Sequence, residues 1–589
     1  MGAKDFYLQS YLIIGCYNLR EKSREKAKNM KRRVFINVLG SLGLGATLLP
    51  GALAALAKEG KKVTLEMMQK AEEISGLSFS EPERREVLSR LNQNLKAYWE
   101  LRNLPLENET PLSLYFDPLP QGKVLEKQPN SIRLELRPVN PPAQIQDAAF
   151  YPLSRLAQLI KQGNISSVQL TKMYLARMDK YNPLLNCAVT ICHELALEQA
   201  AKADEELAKG NYKGPLHGIP YGLKDIFSAK GTPTTWGLKR YQYRVIAKDA
   251  TVAQKLAQAG AVLLAKLAPG ELATGDRYFK GRTLNPWNPR HGSGGSSAGP
   301  ASAVAAGLVG FAMGTETNGS IISPSLLCGV SGLRPSFGRV SRHGCMNIAP
   351  SYDKPGPMCR SAQDCALVLH AVCGPDQKDR SVKELGFAWE PKINLKQIRV
   401  GYVSRLFKRK IKHSWISQVL ACHEKALSRL ADMGAQIKEL KGIDHAYLKR
   451  LVKASSLGMM VEAAAFHENL NQGHKSDDFQ HSDWPARFRG ARYVPGVEYL
   501  QANRARSLLI EETSRIMDQV DVLLGRLTLG GLLTNLTGHP ELAIPHGLSD
   551  NHMPLGIVFT GSLYQESSLL GLAHRYQKET GYQLRHPSL

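Results

Sequence analysis

Ala261–Leu267 reads AVLLAKL, a short and almost continuous apolar run. A run of this length, with no polar alternation, suits a strand covered on both faces. Two more runs of the same kind follow, at Val400–Val403 and Val520–Leu524. Amphipathic helical patterns lie between them, His413–Met433 being the clearest. Strands alternating with helices from Gly214 onward predict an α/β fold with a largely parallel sheet. The chain has 589 residues and is 43% hydrophobic and 22% charged, a composition that supports a sizeable core and excludes a disordered protein. No fixed-period repeat or low-complexity tract occurs.

The net charge is +24, and residues 1–57 contribute nine Lys/Arg against three Asp/Glu. An anionic partner such as nucleic acid or a membrane surface is one reading. A generally basic soluble surface is the better one, because the body carries no long Lys/Arg run interleaved with aromatics. The nine cysteines show no CxxC pair, which argues against a zinc pattern or a disulfide scaffold and for free, buried thiols.

Residues 30–57 place Lys31, Arg32 and Arg33 ahead of an uncharged Gly-, Ala- and Leu-rich run. The stretch RRVFI resembles a twin-arginine export signal, and Ala52-Leu53-Ala54 and Ala55-Leu56-Ala57 fit small-residue cleavage sites. Gly40, Gly43, Gly45, Pro50 and Gly51 make the run a poor membrane helix, so export without stable membrane insertion is expected. Residues 1–29 then read as an over-extended start, with Met30 as initiator. Residues 58–148 read as a helical extension followed by an extended connector. Thr64 caps a first helix, and Ser80 with Glu83 has capping-box spacing with Pro82 in the first turn. Val87, Leu88, Leu91, Leu95 and Tyr98 then share one helical face, and residues 104–145 are Pro- and Asn-rich without periodicity. Residues 153–207 are again helical, with a break expected at Asn182-Pro183.

Two Gly/Ser-rich segments carry the chemistry: GSGGSSAG at Gly292–Gly299 and GTETNGSIISP at Gly314–Pro324. Neither ends in the Lys-Ser/Thr of a phosphate loop, and neither is a dinucleotide fingerprint or a GxSxG elbow. Together they can turn several backbone N–H groups into one cavity, where each donor to a tetrahedral oxyanion contributes roughly 3–4 kcal/mol. Ser296, Ser297 and Ser320 lie within them. A hydroxyl nucleophile needs a base, and a lysine serves if desolvation keeps its amine neutral. GPLHGIPYGLKDIF puts Lys224 in such an apolar, Gly-rich setting. HEN at His467 does not complete HExxH, so no metal site is read.

From Leu153 to its end the chain resembles the amidase-signature family. The motifs GPLHGIPYGLKD, NPWNPRHGSGGSSAG, ASAVAAGLVGFAMGTETNGSIISPS, GVSGLRPSFGRVSRHG and NLTGHPELAIP occur in the family's order. The resemblance implies a catalytic domain over residues 149–589, built on a large mixed, mostly parallel sheet covered by helices. It implies a Ser–cis-Ser–Lys triad of Ser320, Ser296 and Lys224, with the two serines at the family's spacing of 24. It also implies a cis Gly295–Ser296 bond, an oxyanion hole from the N–H groups of Thr317, Asn318, Gly319 and Ser320, and substrate contacts from Ser297 and Ile322. The expected activity is hydrolysis of linear carboxamides, not peptide bonds, through a Ser320 acyl-enzyme, with no cofactor and a small-molecule amide as partner. No nucleic-acid partner is expected, and a homodimer is left open.

Some positions depart from the family pattern. TNGSII replaces TGGSIR, so Asn318 stands for a glycine and Ile322 for an arginine, and Glu316 stands for an aspartate. Asn tolerates left-handed backbone, which would keep the oxyanion turn intact. Two alternatives remain: the glutaminase subunit of a tRNA-dependent amidotransferase, and a catalytically silent binding protein on the same scaffold. The helices at 63–104 with the strap behind them also resemble the small companion subunit that wraps that glutaminase, which implies a belt fused ahead of the catalytic domain.

Overall fold

The computed structural model describes residues 62–104, 106–110, 113–134, 139–404, 414–471, 479–528 and 531–589. The expected export signal and the residues before it lie outside these. The described residues form two compact units, one of residues 62–110, 456–471 and 484–504, the other holding the remainder.

In the first unit, helix α1 (Leu65–Ser75) starts at Thr64, whose hydroxyl accepts from Met67 N–H, and ends at Gly76 with φ +65°. Helix α2 (Glu81–Asn103) opens with the Ser80/Glu83 capping box. Leu88, Leu91 and Tyr98 of α2 pack on Val63, Met67 and Met68, and Arg84 pairs with Glu72 at 2.8 Å. Val87, expected on the same face, is 42% exposed because it sits at the stripe's edge.

The second unit is organised by an eleven-stranded sheet. Its strands are β1 (Ala188–Ile191), β2 (Pro220–Lys224), β3 (Val262–Leu267), β4 (Phe311–Glu316), β5 (Ser331–Arg334), β6 (Lys354–Cys359), β7 (Arg399–Tyr402), β8 (Gln436–Glu439), β9 (Val522–Leu524), β10 (Glu541–Leu548) and β11 (Pro554–Gly561). The spatial order is β8-β7-β9-β11-β10-β5-β6-β4-β2-β3-β1. AVLLAKL does form β3, and every residue of the strand is buried. The sheet is mixed as expected, but it is not mostly parallel. Parallel ladders join only β3-β2-β4 and β8-β7-β9, and the other six pairings are antiparallel. The reason lies in the connections: β10 and β11 are joined by a short loop, which suits antiparallel neighbours, whereas parallel ones need a long crossover.

Four further helices matter below: α3 (Ala298–Ala305), α4 (Ile322–Cys328), α5 (Gly496–Met517) and α6 (Leu532–Thr537). The break expected at Asn182-Pro183 falls later. The helix Ser167–Leu185 runs through Pro183 and ends at Asn186 with φ +50°, while the Asn182 carboxamide accepts the N–H groups of Cys187 and Ala188.

Residues 113–134 form a strap along this unit. Asp117 pairs with Lys383 at 2.6 Å and Lys123 with Asp518 at 2.9 Å. Leu119 and Leu125 pack on Leu385, Leu563 and Tyr564, and Ser131–Ile132 pairs in parallel with Ala388–Trp389. Among the described residues no helix is long and apolar enough to cross a membrane.

Candidate active site

The parallel trio β3-β2-β4 places Lys224. Lys224 is the last residue of β2, and its side chain is fully buried. Its Nζ lies 2.9 Å from Ser296 Oγ, 2.9 Å from Thr315 Oγ1 and 3.4 Å from the Thr315 carbonyl oxygen. Burial pulls its pKa from 10.5 down to about 7, against opposing pulls from Cys345, Asp353 and Glu316. A neutral amine has two hydrogens and one lone pair, and three oxygens are within reach. The Thr315 carbonyl can only accept and the Thr315 hydroxyl can accept too, which leaves the lone pair for the Ser296 hydroxyl. The next residue, Asp225, anchors this strand end: it accepts from Lys266 Nζ at 2.6 Å and from Thr235 N–H at 3.0 Å. The single lysine inside AVLLAKL is therefore a buried ion-pair partner.

The first Gly/Ser loop leads into α3. The Gly295–Ser296 peptide is cis. A Cβ on Gly295 would overlap the Gly275 carbonyl, so the loop needs glycine there to pack. Ser296 is 2% exposed, with its hydroxyl on Lys224. Ser297 has a different role from the expected substrate contact. Its Oγ donates to the Thr315 carbonyl at 3.1 Å and accepts from Thr315 N–H at 3.2 Å, which ties the loop to β4.

The second loop follows β4. Ser297 N–H donates to the Ser320 carbonyl at 3.0 Å, holding the two loops together. Ser320 is partly exposed, and its hydroxyl forms no hydrogen bond among the described residues. The N–H groups of Asn318, Gly319 and Ser320 likewise meet no acceptor among them. The left-handed residue of this turn is Gly319, at φ +83°. Asn318 does not have a positive φ, so the tolerance argued for it is not called on, and a side chain fits there in ordinary backbone.

Two buried carboxylates fix the ends of the turn. At its start, Thr317 Oγ1 donates to Asp353 at 2.5 Å, while the other Asp353 oxygen accepts from Ile348 and Ala349 N–H. At its end, one Glu316 oxygen accepts from Ile321 N–H at 2.9 Å and Ile322 N–H at 3.0 Å. The other accepts from Arg334 at 2.7 Å and Asn535 at 2.8 Å. Burial alone would raise the Glu316 pKa, but the Arg334 charge and these hydrogen bonds outweigh it and hold the carboxyl near 2. Arg334 also reaches Glu541, which pairs with Arg526 at 2.8 Å. Sequence reading missed Thr315, Asp353 and this network. All but Asp353, its donors Ile348 and Ala349, and Arg526 lie inside the quoted motifs, but their partners are up to 219 residues away.

Ile322 is fully buried against Ala543, Val558 and Leu326, so it serves the core rather than a substrate. Arg360 is engaged by the carbonyls of Tyr151 and Val309, and Arg342 by Asp379 and the Pro350 carbonyl. Among the described residues no cluster of three or more His, Cys, Asp or Glu side chains could hold a metal.

The Amidase family model matches residues 169–526. The chain belongs to the amidase-signature family. It is 35% identical to the A subunit of the glutamyl-tRNA(Gln) amidotransferase of Marinomonas sp. (strain MWYL1), over 74% of this chain and 98% of that protein. It is 34% identical to the protein of the same name from Ruthia magnifica, over 73% and 98%. The solved peptide amidase from Stenotrophomonas maltophilia is similar with a TM-score of 0.66 and 28% identity, over 74% of this chain and 98% of that one.

Proposed function

We propose that this amidase-signature chain hydrolyses a carboxamide C–N bond through an acyl-enzyme on Ser320. The observation that carries the reading is the fully buried Lys224 amine, near pKa 7 and 2.9 Å from Ser296 Oγ. A base poised near neutral pH is what a proton relay between hydroxyls needs. Lys224 takes the Ser296 proton as Ser296 takes that of Ser320. Ser320 Oγ attacks the amide carbon, and the oxyanion that forms meets the N–H groups of Thr317, Asn318, Gly319 and Ser320. The relay returns the proton to the leaving nitrogen, and water attacks the ester by the same path. The Ser320 hydroxyl, unbonded among the described residues, is free to rotate toward Ser296 as substrate seats. The test is ammonia or amine release from a panel of aliphatic, aryl and amino-acid amides, compared with Ser320→Ala. A folded Ser320→Ala variant as active as the parent refutes the reading.

A second reading makes the chain the glutaminase component of a glutamyl-tRNA(Gln) amidotransferase. The curated relatives bear that enzyme's name and match nearly their whole length, and they favour this reading over a stand-alone amidase. It brings a tRNA-linked partner complex with it. The solved peptide amidase supports a free-standing enzyme, and peptide amides join the substrate panel on its account. Glutamine-dependent amide transfer to glutamyl-tRNA(Gln), assayed with the companion proteins, separates the two. The twin-arginine stretch at 30–57 supports export, which stands more easily with a free amidase than with a tRNA-dependent one.

A further inference from the structure

Near its start the strap packs on Arg506, Phe337 and Gly538, residues that lead to the two carboxylate anchors of the Ser320 turn. Phe116 stacks on Arg506, whose guanidinium carbon lies 3.5 Å from the ring centroid, and Tyr352 covers Arg506 at 4.3 Å. Arg506, on α5, is 2% exposed and donates to the Leu536 carbonyl and to both the hydroxyl and carbonyl of Ser351 at 2.8 Å. Two residues after Ser351 comes Asp353, which holds Thr317 at the start of the turn. On the other side, Phe116 meets Phe337 edge-on at 5.0 Å, and Pro118 abuts Gly538, where an added Cβ would lie 2.8 Å from it. The Gly538 carbonyl accepts Phe337 N–H, and the next carbonyl, of His539, accepts from Arg334 at 2.6 Å. Arg334 holds Glu316, which holds Ile321 and Ile322 at the end of the turn.

We propose that Phe116, in a segment ahead of the residues matched by the family model, is a positioning residue for the Ser320 turn, acting through Arg506 and the Gly538 corner. A cation between two aromatic faces in a desolvated site is held both by ring electrostatics and by contact. Without the ring, Arg506 gains room to move, and Ser351 with it. The turn then samples geometries in which its N–H groups no longer converge. Such a loss falls on the transition state, where the oxyanion is most charged, and so on kcat more than on KM. The catalytic consequence rests on the hydrolase reading above, but the bracing itself does not.

The experiment compares the parent, Phe116→Ala, Phe116→Leu and Phe116→Tyr in the full chain. Hydrogen exchange is followed in peptides covering 317–322, alongside steady-state kinetics on an amide that the parent hydrolyses. The expected result is at least tenfold faster exchange of the Ile321 and Ile322 amides in Phe116→Ala and Phe116→Leu, with Phe116→Tyr like the parent. In parallel, kcat falls about tenfold in the first two variants with KM within twofold. Unchanged exchange in the Leu variant, or an equal rise in the Tyr variant, overturns the bracing. If Phe116→Ala does not fold, the Leu variant decides. A parent with no amidase activity defeats the hydrolase reading, while the exchange arm still decides the bracing.

Discussion

Replacing Lys224 with methionine should stabilise the protein and inactivate it, and the stabilisation should vanish as the pH rises. In the unfolded chain Lys224 keeps its proton up to about pH 10.5, whereas in the folded chain it loses it near 7. Between these values the unfolded chain holds one more proton, so raising the pH favours the folded state by about 1.4 kcal/mol per pH unit. At pH 7 the folded enzyme therefore carries a penalty of about 4–5 kcal/mol for burying this amine, on the order given by that slope. Methionine fills the space of the lysine stem without the penalty. It forfeits the hydrogen bonds to Ser296 and Thr315, at about 1 kcal/mol each. The variant should then be more stable by about 2 kcal/mol at pH 7 and less stable than the parent by pH 10. Paired urea unfolding curves at pH 7, 8, 9 and 10 measure the difference directly. The activity of the variant should fall by about 10²–10⁴-fold, and the parent's kcat/KM should rise with pH through a single ionisation near 7. A stability difference that stays flat from pH 7 to 10 would refute the reasoning, because Lys224 would then enter the folded state charged and could not serve as base.

A serine-directed fluorophosphonate should label the parent and leave Ser320→Ala unlabelled, and equal labelling of the two would move the nucleophile elsewhere. Glu316→Gln leaves Arg334 buried with a weakened partner set and should destabilise the protein by about 3–5 kcal/mol in urea unfolding. The Glu316 contribution should be complete above pH 4.5 and be lost as the pH falls toward 2, so the Gln variant should lack that part of the acid transition. With Ile322 in the core and Arg342 and Arg360 engaged elsewhere, a neutral amide should have a higher kcat/KM than free glutamine. Glutamine ahead by tenfold, about 1.4 kcal/mol, would reverse this and favour the amidotransferase reading. Changing Arg32 and Arg33 to lysine should retain the protein in the cytoplasm, as read by fractionation, and a parent found only there would refute export.

The candidate site was legible because its residues sit in short motifs: Ser296, Ser320 and Lys224 were named by spacing and resemblance, and the structure puts Lys224 on Ser296 and ties the Ser296 and Ser320 loops together. The caps at Thr64 and Ser80 were legible for a similar reason, since a helix start is decided within four residues. What escaped depends on partners distant in sequence. Nothing near Glu316 announces Arg334 or Asn535, and nothing near Thr315 announces that it shares Lys224 with Ser296. Ile322 was misjudged because the direction of a side chain at the start of α4 depends on β10 and β11 beneath it. The direction of the sheet's middle strands was misjudged because apolar runs look alike in parallel and antiparallel ladders.

The strap also bears on how the chain is made. Asp117 waits for Lys383, 266 residues later, Lys123 for Asp518, 395 later, and Gln128 for Tyr564, 436 later. At about 5–20 residues per second, a ribosome needs roughly half a minute or more after releasing the strap before its final partner emerges. Through that interval the segment has only part of its docking surface: Lys383, Leu385 and Ala388–Trp389 are made, while Asp518, Leu563 and Tyr564 are not. An element held extended, by its own side chains and one short ladder, can be supplied from outside. A peptide spanning residues 113–134 should therefore restore a chain whose own copy has been removed.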